Sequence, residues 1–65
     1  MAEIELNTAD LEEIAEIPGI GEEQAREIVE FRDEHGDFES WDDLLEIPGF
    51  SDRLIEQLKK GGATI

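Results

Sequence analysis

Two short stretches hold the residue types from which this sequence can build a site. They are Glu16-Ile17-Pro18-Gly19-Ile20-Gly21 and Glu46-Ile47-Pro48-Gly49-Phe50-Ser51, thirty positions apart. Their chemistry is anion capture. Proline has no N–H to donate and restricts the residue before it, so each Pro stops an incoming helix. Glycine takes positive φ and leaves the backbone bare. A helix that starts just after such a turn shows free N–H groups at its positive end, and phosphate is the usual guest there. The sequence therefore predicts two phosphate-sized cradles.

Nothing else in the chain offers comparable chemistry. There is no cysteine or tyrosine, one histidine, and four hydroxyl residues: Thr8, Ser40, Ser51 and Thr64. Three of those four fall at cap or tail positions. No nucleophile–base pair can be assembled, so no enzyme activity and no cofactor are expected. His35 lacks a second histidine or any cysteine and reads as a partner of a helix end rather than a metal ligand. Glu12-Glu13, Glu22-Glu23 and Asp42-Asp43 are adjacent pairs. Neighbours on a helix do not face each other, so these pairs read as solvated faces.

Sixty-five residues predict one domain, 1–65, with little buried surface and no disulfide to staple it. The core must come from short helices, with Phe31, Phe38, Trp41 and Phe50 as its largest pieces. No apolar run approaches the ~20 residues of a membrane span. The first ten residues carry Glu3, Glu5 and Asp10 and no basic n-region, so no signal peptide is expected. If the chain is complete, a cytoplasmic protein without a membrane partner is expected; its location is otherwise unassigned. Nineteen acids against five bases give a net charge of −14. High-salt adaptation, a basic partner surface and plain solubility each account for such an excess, and each implies self-repulsion at low ionic strength.

The elements that position the two turns follow from periodicity. Residues 1–7 alternate as an extended lead-in. Leu11, Ile14 and Ala15 predict a short helix over about 9–16, capped by Thr8 or Asn7. Ala25, Ile28, Val29 and Arg32 share one face of a second helix, from Gly21 or Glu22 to about Glu34, which Gly36 stops. Phe38 is the core plug of the loop, and Arg32 its tether. Ser40 and Asp43 resemble a capping box before a third short helix with Trp41, Leu44 and Leu45. Ser51 caps a fourth, whose Leu54, Ile55 and Leu58 face inward and whose last turn holds Lys59 and Lys60. Gly61-Gly62 ends it, and Ile65 is expected beside Ile4 or Leu6. A shift of thirty aligns Leu11 with Trp41, Ile14 with Leu44, Pro18 with Pro48, Gly19 with Gly49, Ala25 with Ile55 and Ile28 with Leu58. The reading is two similar hairpins, about 9–34 and 41–60, each burying its apolar face on the other.

These residues resemble a known family, the tandem helix-hairpin-helix domain of the competence-protein ComEA-like type. Leu6-Asn7-Thr8-Ala9 carries the likeness, with Ile17-Pro18-Gly19-Ile20-Gly21 followed by Ala25, Ile28 and Arg32, and Gly36-Asp37-Phe38-Glu39-Ser40 followed by Leu44, Pro48 and Gly49. The resemblance spans about residues 4–60 and includes the spacing between the hairpins. It implies an all-α, compact four-to-five-helix tandem helix-hairpin-helix (SAM-like) domain with a pseudo-two-fold repeat. It also implies sequence-independent binding of duplex DNA, by hairpin amides that contact phosphates across the minor groove. Carried over by position, the cradles are Gly19, Ile20 and Gly21, then Gly49, Phe50 and Ser51. Some hairpins of the family hold a monovalent cation on loop carbonyls, here those of Ile17, Gly19, Ile47 and Gly49; no other metal is expected.

The chain departs from that pattern in its charges. DNA-binding hairpins usually place lysine or arginine just after the second glycine. Here Glu22 and Glu23 follow the first turn, Asp52 and Arg53 the second, and Ser51 replaces a glycine. Residues 51–60 hold Arg53, Lys59 and Lys60 against Asp52 and Glu56, so the second hairpin is the expected contact. The leading expectation is a monomer that binds duplex DNA weakly and in a salt-dependent manner. The competing one is an acidic protein-interaction or assembly module that has lost DNA binding and meets a basic protein surface.

Overall fold

A computed structural model describes residues 3–65. These residues are mostly helical, with four helices around one hydrophobic core. A two-residue strand, β1 (Ile4–Glu5), opens it, followed by α1 (Leu11–Ala15), α2 (Glu22–His35), a 3-10 helix (Trp41–Glu46), α3 (Asp52–Lys60) and a second two-residue strand, β2 (Ala63–Thr64). Both proline turns join helices, as expected.

Helix α1 starts later than periodicity predicts, and neither Thr8 nor Asn7 caps it. Asp10 does. Its Oδ1 accepts the Glu13 N–H at 2.9 Å, and the Glu13 carboxylate accepts the Asp10 N–H at 3.2 Å, a reciprocal capping box. Asn7 is drawn away by a stronger alternative. Its Nδ2–H donates to the Phe38 carbonyl at 3.1 Å, and its Oδ1 accepts the Phe38 N–H at 2.7 Å. One amide side chain thus satisfies both backbone groups of a residue whose ring is buried. Arg32 also reaches the lead-in rather than the loop: its Nη1–H donates to the Leu6 carbonyl at 2.7 Å.

The lead-in is not left unpaired. It forms a parallel pair with the C-terminal tail, Ile4 opposite Ala63 and Glu5 opposite Thr64. The Ile4 N–H donates to Gly62 and the Leu6 N–H to Thr64, each at 2.9 Å. Helices alone do not account for this join, which adds the only strands among the described residues. Ile4 and Ile65 both pack on the core edge.

The five largest fully buried side chains each come from a different part of the chain: Leu6 from the lead-in, Ile14 from α1, Ile28 from α2, Leu44 from the 3-10 helix and Leu58 from α3. Each contributes roughly 1.5–3 kcal/mol through burial. Phe38 joins them as predicted, stacked on Phe31 with ring centroids 5.6 Å apart. Leu45 does not; it is the one large exposed apolar side chain among the described residues. The third helix, six residues between Ser40 and Ile47, is 3-10 rather than α. Asp43 closes its start, its carboxylate accepting the Glu39 N–H at 2.8 Å and the Ser40 N–H at 3.4 Å. Trp41 is half-buried at its first position, with the Lys59 ammonium 5.2 Å from the ring centroid.

A net charge of −14 on so small a fold predicts salt-sensitive stability. Raising NaCl from about 20 mM to about 0.5 M should raise the thermal midpoint by on the order of 5 °C, through screening of self-repulsion. A midpoint that stays put across that range would show that the carboxylates are spaced widely enough not to matter.

Candidate nucleic-acid interface

The two turns have nearly the same backbone. Gly19 and Gly49 both sit at φ +88°, a region only glycine enters at little cost. The Ile20 N–H donates back to the Ile17 carbonyl at 2.9 Å, and the Phe50 N–H to Ile47 at 3.0 Å. The next residue, Gly21 or Ser51, is extended and serves as the N-cap of the outgoing helix. The first turns of α2 and α3 then show their N–H groups outward. Pro18, Gly19, Gly21, Pro48, Gly49 and Ser51 are all exposed.

Within each cradle the residues divide the work. Ile20 and Phe50 are buried, and their amides are used inside the turn. They anchor the loop to the core. The donors left for an anion are those of the N-cap and of the helix start: Glu22 and Glu23 in α2, Ser51, Asp52 and Arg53 in α3. Gly21 is not fully free, because its N–H donates to the Gln24 Oε1 at 3.0 Å. The matching residue after the second turn is Leu54, which has no acceptor, and Ser51 makes no side-chain cap bond. Sequence reading missed Gln24, although it holds the fourth position of a capping box; glycine at the cap hides the pattern.

The surroundings of the two turns differ more than their backbones. The C-terminal end of α3 lies against the first. Gln57 Nε2–H donates to the Pro18 carbonyl at 3.3 Å, and a Cβ on Gly19 would run into that same Nε2. A Cβ on Gly61 would meet the Ile17 side chain. Around Gly49 there is open space. Of the three bases assigned to the second hairpin, Arg53 alone stands in the first turn of α3. Lys59 and Lys60 lie about 9–10 Å further along the axis at about 1.5 Å per residue, at the end of α3 that abuts the first turn. Lys60 follows Gln57 by three residues and shares its side of the helix. The second turn meets acids instead: Glu27, Glu30 and Glu34 of α2 line a groove with Ile47 and Pro48. Chain order therefore misassigns the charges. No local signal announces Gln57, which is 39 residues from Pro18.

Of the loop carbonyls assigned to a monovalent cation, those of Ile17 and Ile47 each accept one turn amide and retain a second lone pair.

Two alanine substitutions measure the asymmetry. Positive φ alone should make Gly19→Ala and Gly49→Ala each cost about 1–2 kcal/mol. Gly19→Ala should cost about 0.5–1.5 kcal/mol more, because its methyl displaces Gln57 from Pro18. Urea denaturation of both variants, repeated in a Gln57→Ala background, should show the excess only when Gln57 is present. Equal losses would mean that Gln57 does not sit on the first turn.

The pattern of the helix-hairpin-helix motif matches residues 1–61 of this sequence. ComE operon protein 1 of Bacillus subtilis (strain 168) is 34% identical over 56 residues, 86% of this chain and 27% of that protein. The human endonuclease/exonuclease/phosphatase family domain-containing protein 1 is 32% identical over 56 residues, 86% of this chain and 10% of its own length. The transcriptional accessory protein Tex of Neisseria gonorrhoeae is 37% identical over 54 residues, 83% of this chain and 7% of its own. The chain thus spans 27% or less of each of these relatives. With both proline–glycine turns leading into helix N-termini, and the motif matched along nearly its whole length, the chain belongs to the helix-hairpin-helix family.

Proposed function

We propose that this domain binds duplex DNA weakly and without sequence preference, as a tandem helix-hairpin-helix unit whose two turns are related by a pseudo-two-fold. One observation carries the reading. Both turns place glycine at φ +88° and hand the chain to an outward-facing helix start, so two sets of backbone donors are prepared for phosphate. Family membership supports it. Backbone donors confer no preference among bases, because they reach phosphate and sugar rather than base edges.

The charges set the strength. Non-specific affinity comes chiefly from lysine and arginine at phosphates, and this face offers few: Arg53 at one turn, Lys60 towards the other. Glu22 and Glu23 flank the first set of donors and Asp52 the second. Affinity therefore falls at or below the weak end of non-specific binding, a dissociation constant on the order of 10⁻⁴ M or higher. Binding rather than catalysis is the proposed role; His35 stacks on Phe31 with ring centroids 4.3 Å apart.

Amide NMR tests the proposal directly. The domain is titrated with a short duplex at several salt concentrations, with and without magnesium. Shifts are expected at residues 19–23 and 49–53 and should fade as salt rises. A folded sample whose amides stay silent there at low salt would sink the reading.

A further inference from the structure

A second face has a different chemistry. A groove of about 210 Å³ runs between α2 and the second turn, lined by Glu27, Glu30, Phe31, Glu34, Ile47 and Pro48. On the other side of Phe31 lies a separate hollow of about 240 Å³, edged by Asp37, Glu39, Asp43 and Glu46. Neither lining includes a lysine or arginine. Phe31 belongs to both and is half-buried. It is held by stacking on His35 and Phe38, so it forms a fixed apolar platform ringed by seven carboxylates.

We propose that this groove receives a basic amphipathic segment of a partner protein. One apolar side chain of that segment sits on Phe31, Ile47 and Pro48, and its lysines or arginines meet the surrounding carboxylates. The inference uses a different face from the DNA reading and does not depend on it. Three arguments select the occupant. The first is size: the groove is smaller than the roughly 300–1,000 Å³ of small-molecule sites and suits a single side chain. The second is charge. Glu27, Glu30, Phe31 and Glu34 fall at i, i+3, i+4 and i+7, one stripe of α2, where like charges repel. The chain relieves that stripe only in part: Arg32 is committed to the Leu6 carbonyl, and Arg26, four residues before Glu30, is one base against three carboxylates. The third is exclusion, because DNA and a second copy of this chain both carry the same sign as the groove.

The full chain should be titrated with a 14-residue helical peptide of lysine and leucine. A lysine–serine peptide of equal charge serves as comparison. The lysine–leucine peptide is expected to shift the amides of residues 27–35, 46 and 47. The triple variant E27Q/E30Q/E34Q should bind it at least tenfold more weakly. The variant E3Q/E12Q/E16Q has the same net charge and exposed substitutions elsewhere, and it should change affinity less than threefold. Retained amide dispersion shows that each variant is folded. Equal weakening in both variants would reduce the effect to bulk attraction and overturn the proposal. So would equal binding of the lysine–serine peptide at the same amides. Shifts confined to other faces, the same amides shifting with duplex DNA, or a dimer in sedimentation that covers the groove would overturn it too.

Discussion

Asn7→Ala is expected to destabilise the domain by about 2–4 kcal/mol. The side chain makes two hydrogen bonds to one residue, accepting the Phe38 N–H at 2.7 Å and donating to the Phe38 carbonyl at 3.1 Å. Phe38 is 3% exposed, so its backbone has little access to replacement water. A buried polar group stripped of its partner costs roughly 1–3 kcal/mol, and here there are two. At about 0.05–0.15 kcal/mol per residue, the whole domain is stable by only about 3–10 kcal/mol. The loss is therefore a large share of the total, and a lowered urea midpoint should show it readily. Asn7→Asp is the sharper variant. It keeps the acceptor, loses the donor and sets a carboxylate against the Phe38 carbonyl. Thr8→Ala is the control; that side chain is exposed, and its one contact is a 3.4 Å bond to Glu5. It should stay within about 0.5 kcal/mol. If Asn7→Ala also stays within that limit, the clamp contributes nothing and Phe38 is held by packing alone.

Asn7 also shows where reading the sequence stops. The helices, both turns and most of the core were legible, because each depends on residues a few positions apart. Leu54, Ile55 and Leu58 fall at helical spacing, Gly36 follows a run of helix formers, and Pro18-Gly19 ends a helix by its own covalent geometry. The exceptions are long-range. Asn7 looks like a helix cap until Phe38, 31 residues on, competes for it. Arg32 looks like a loop tether until Leu6 presents a carbonyl. The lead-in looks like a lone extended segment until the tail supplies a partner. Each outcome was decided by a group brought close only by folding.

The candidate site follows the same rule. Its backbone was legible, since proline and glycine prescribe it. Its electrostatics were not. Counting charge along residues 51–60 credits the second hairpin with three bases, yet the fold moves Lys59 and Lys60 to the opposite end of α3 and brings the glutamates of α2 to Ile47 and Pro48. The first turn has Gln57 above it and α3's cationic end beside it, but two carboxylates among its donors. Neither turn is favoured on both counts. That leaves one local feature, the pair Glu22 and Glu23, as the strongest brake on phosphate binding.

Reversing that pair should therefore have the largest effect on DNA binding. Glu22→Lys with Glu23→Lys changes the net charge from −14 to −10, since each swap adds two units. Both positions are exposed in the first turn of α2, beside its free N–H groups. A charge pair at about 4 Å in water is worth about 1 kcal/mol, and each swap removes a repulsion while adding an attraction. A gain in affinity of about 10- to 100-fold is expected at low salt. The dependence of log affinity on log salt should steepen by about 1.8, at roughly 0.9 per added phosphate contact. The helix resists the change: acids stabilise a helix start by about 0.3–1 kcal/mol each, so some stability is lost. Fluorescence anisotropy with a labelled duplex, repeated across a salt series, reads both quantities. The comparison is Glu3→Lys with Glu12→Lys, which alters net charge equally, away from the turn. If both pairs gain alike, DNA responds only to total charge. If neither gains, the first turn does not face phosphate and its amides serve the fold alone. A gain confined to Glu22 and Glu23 would show that the backbone cradle is intact and that two carboxylates hold its affinity down.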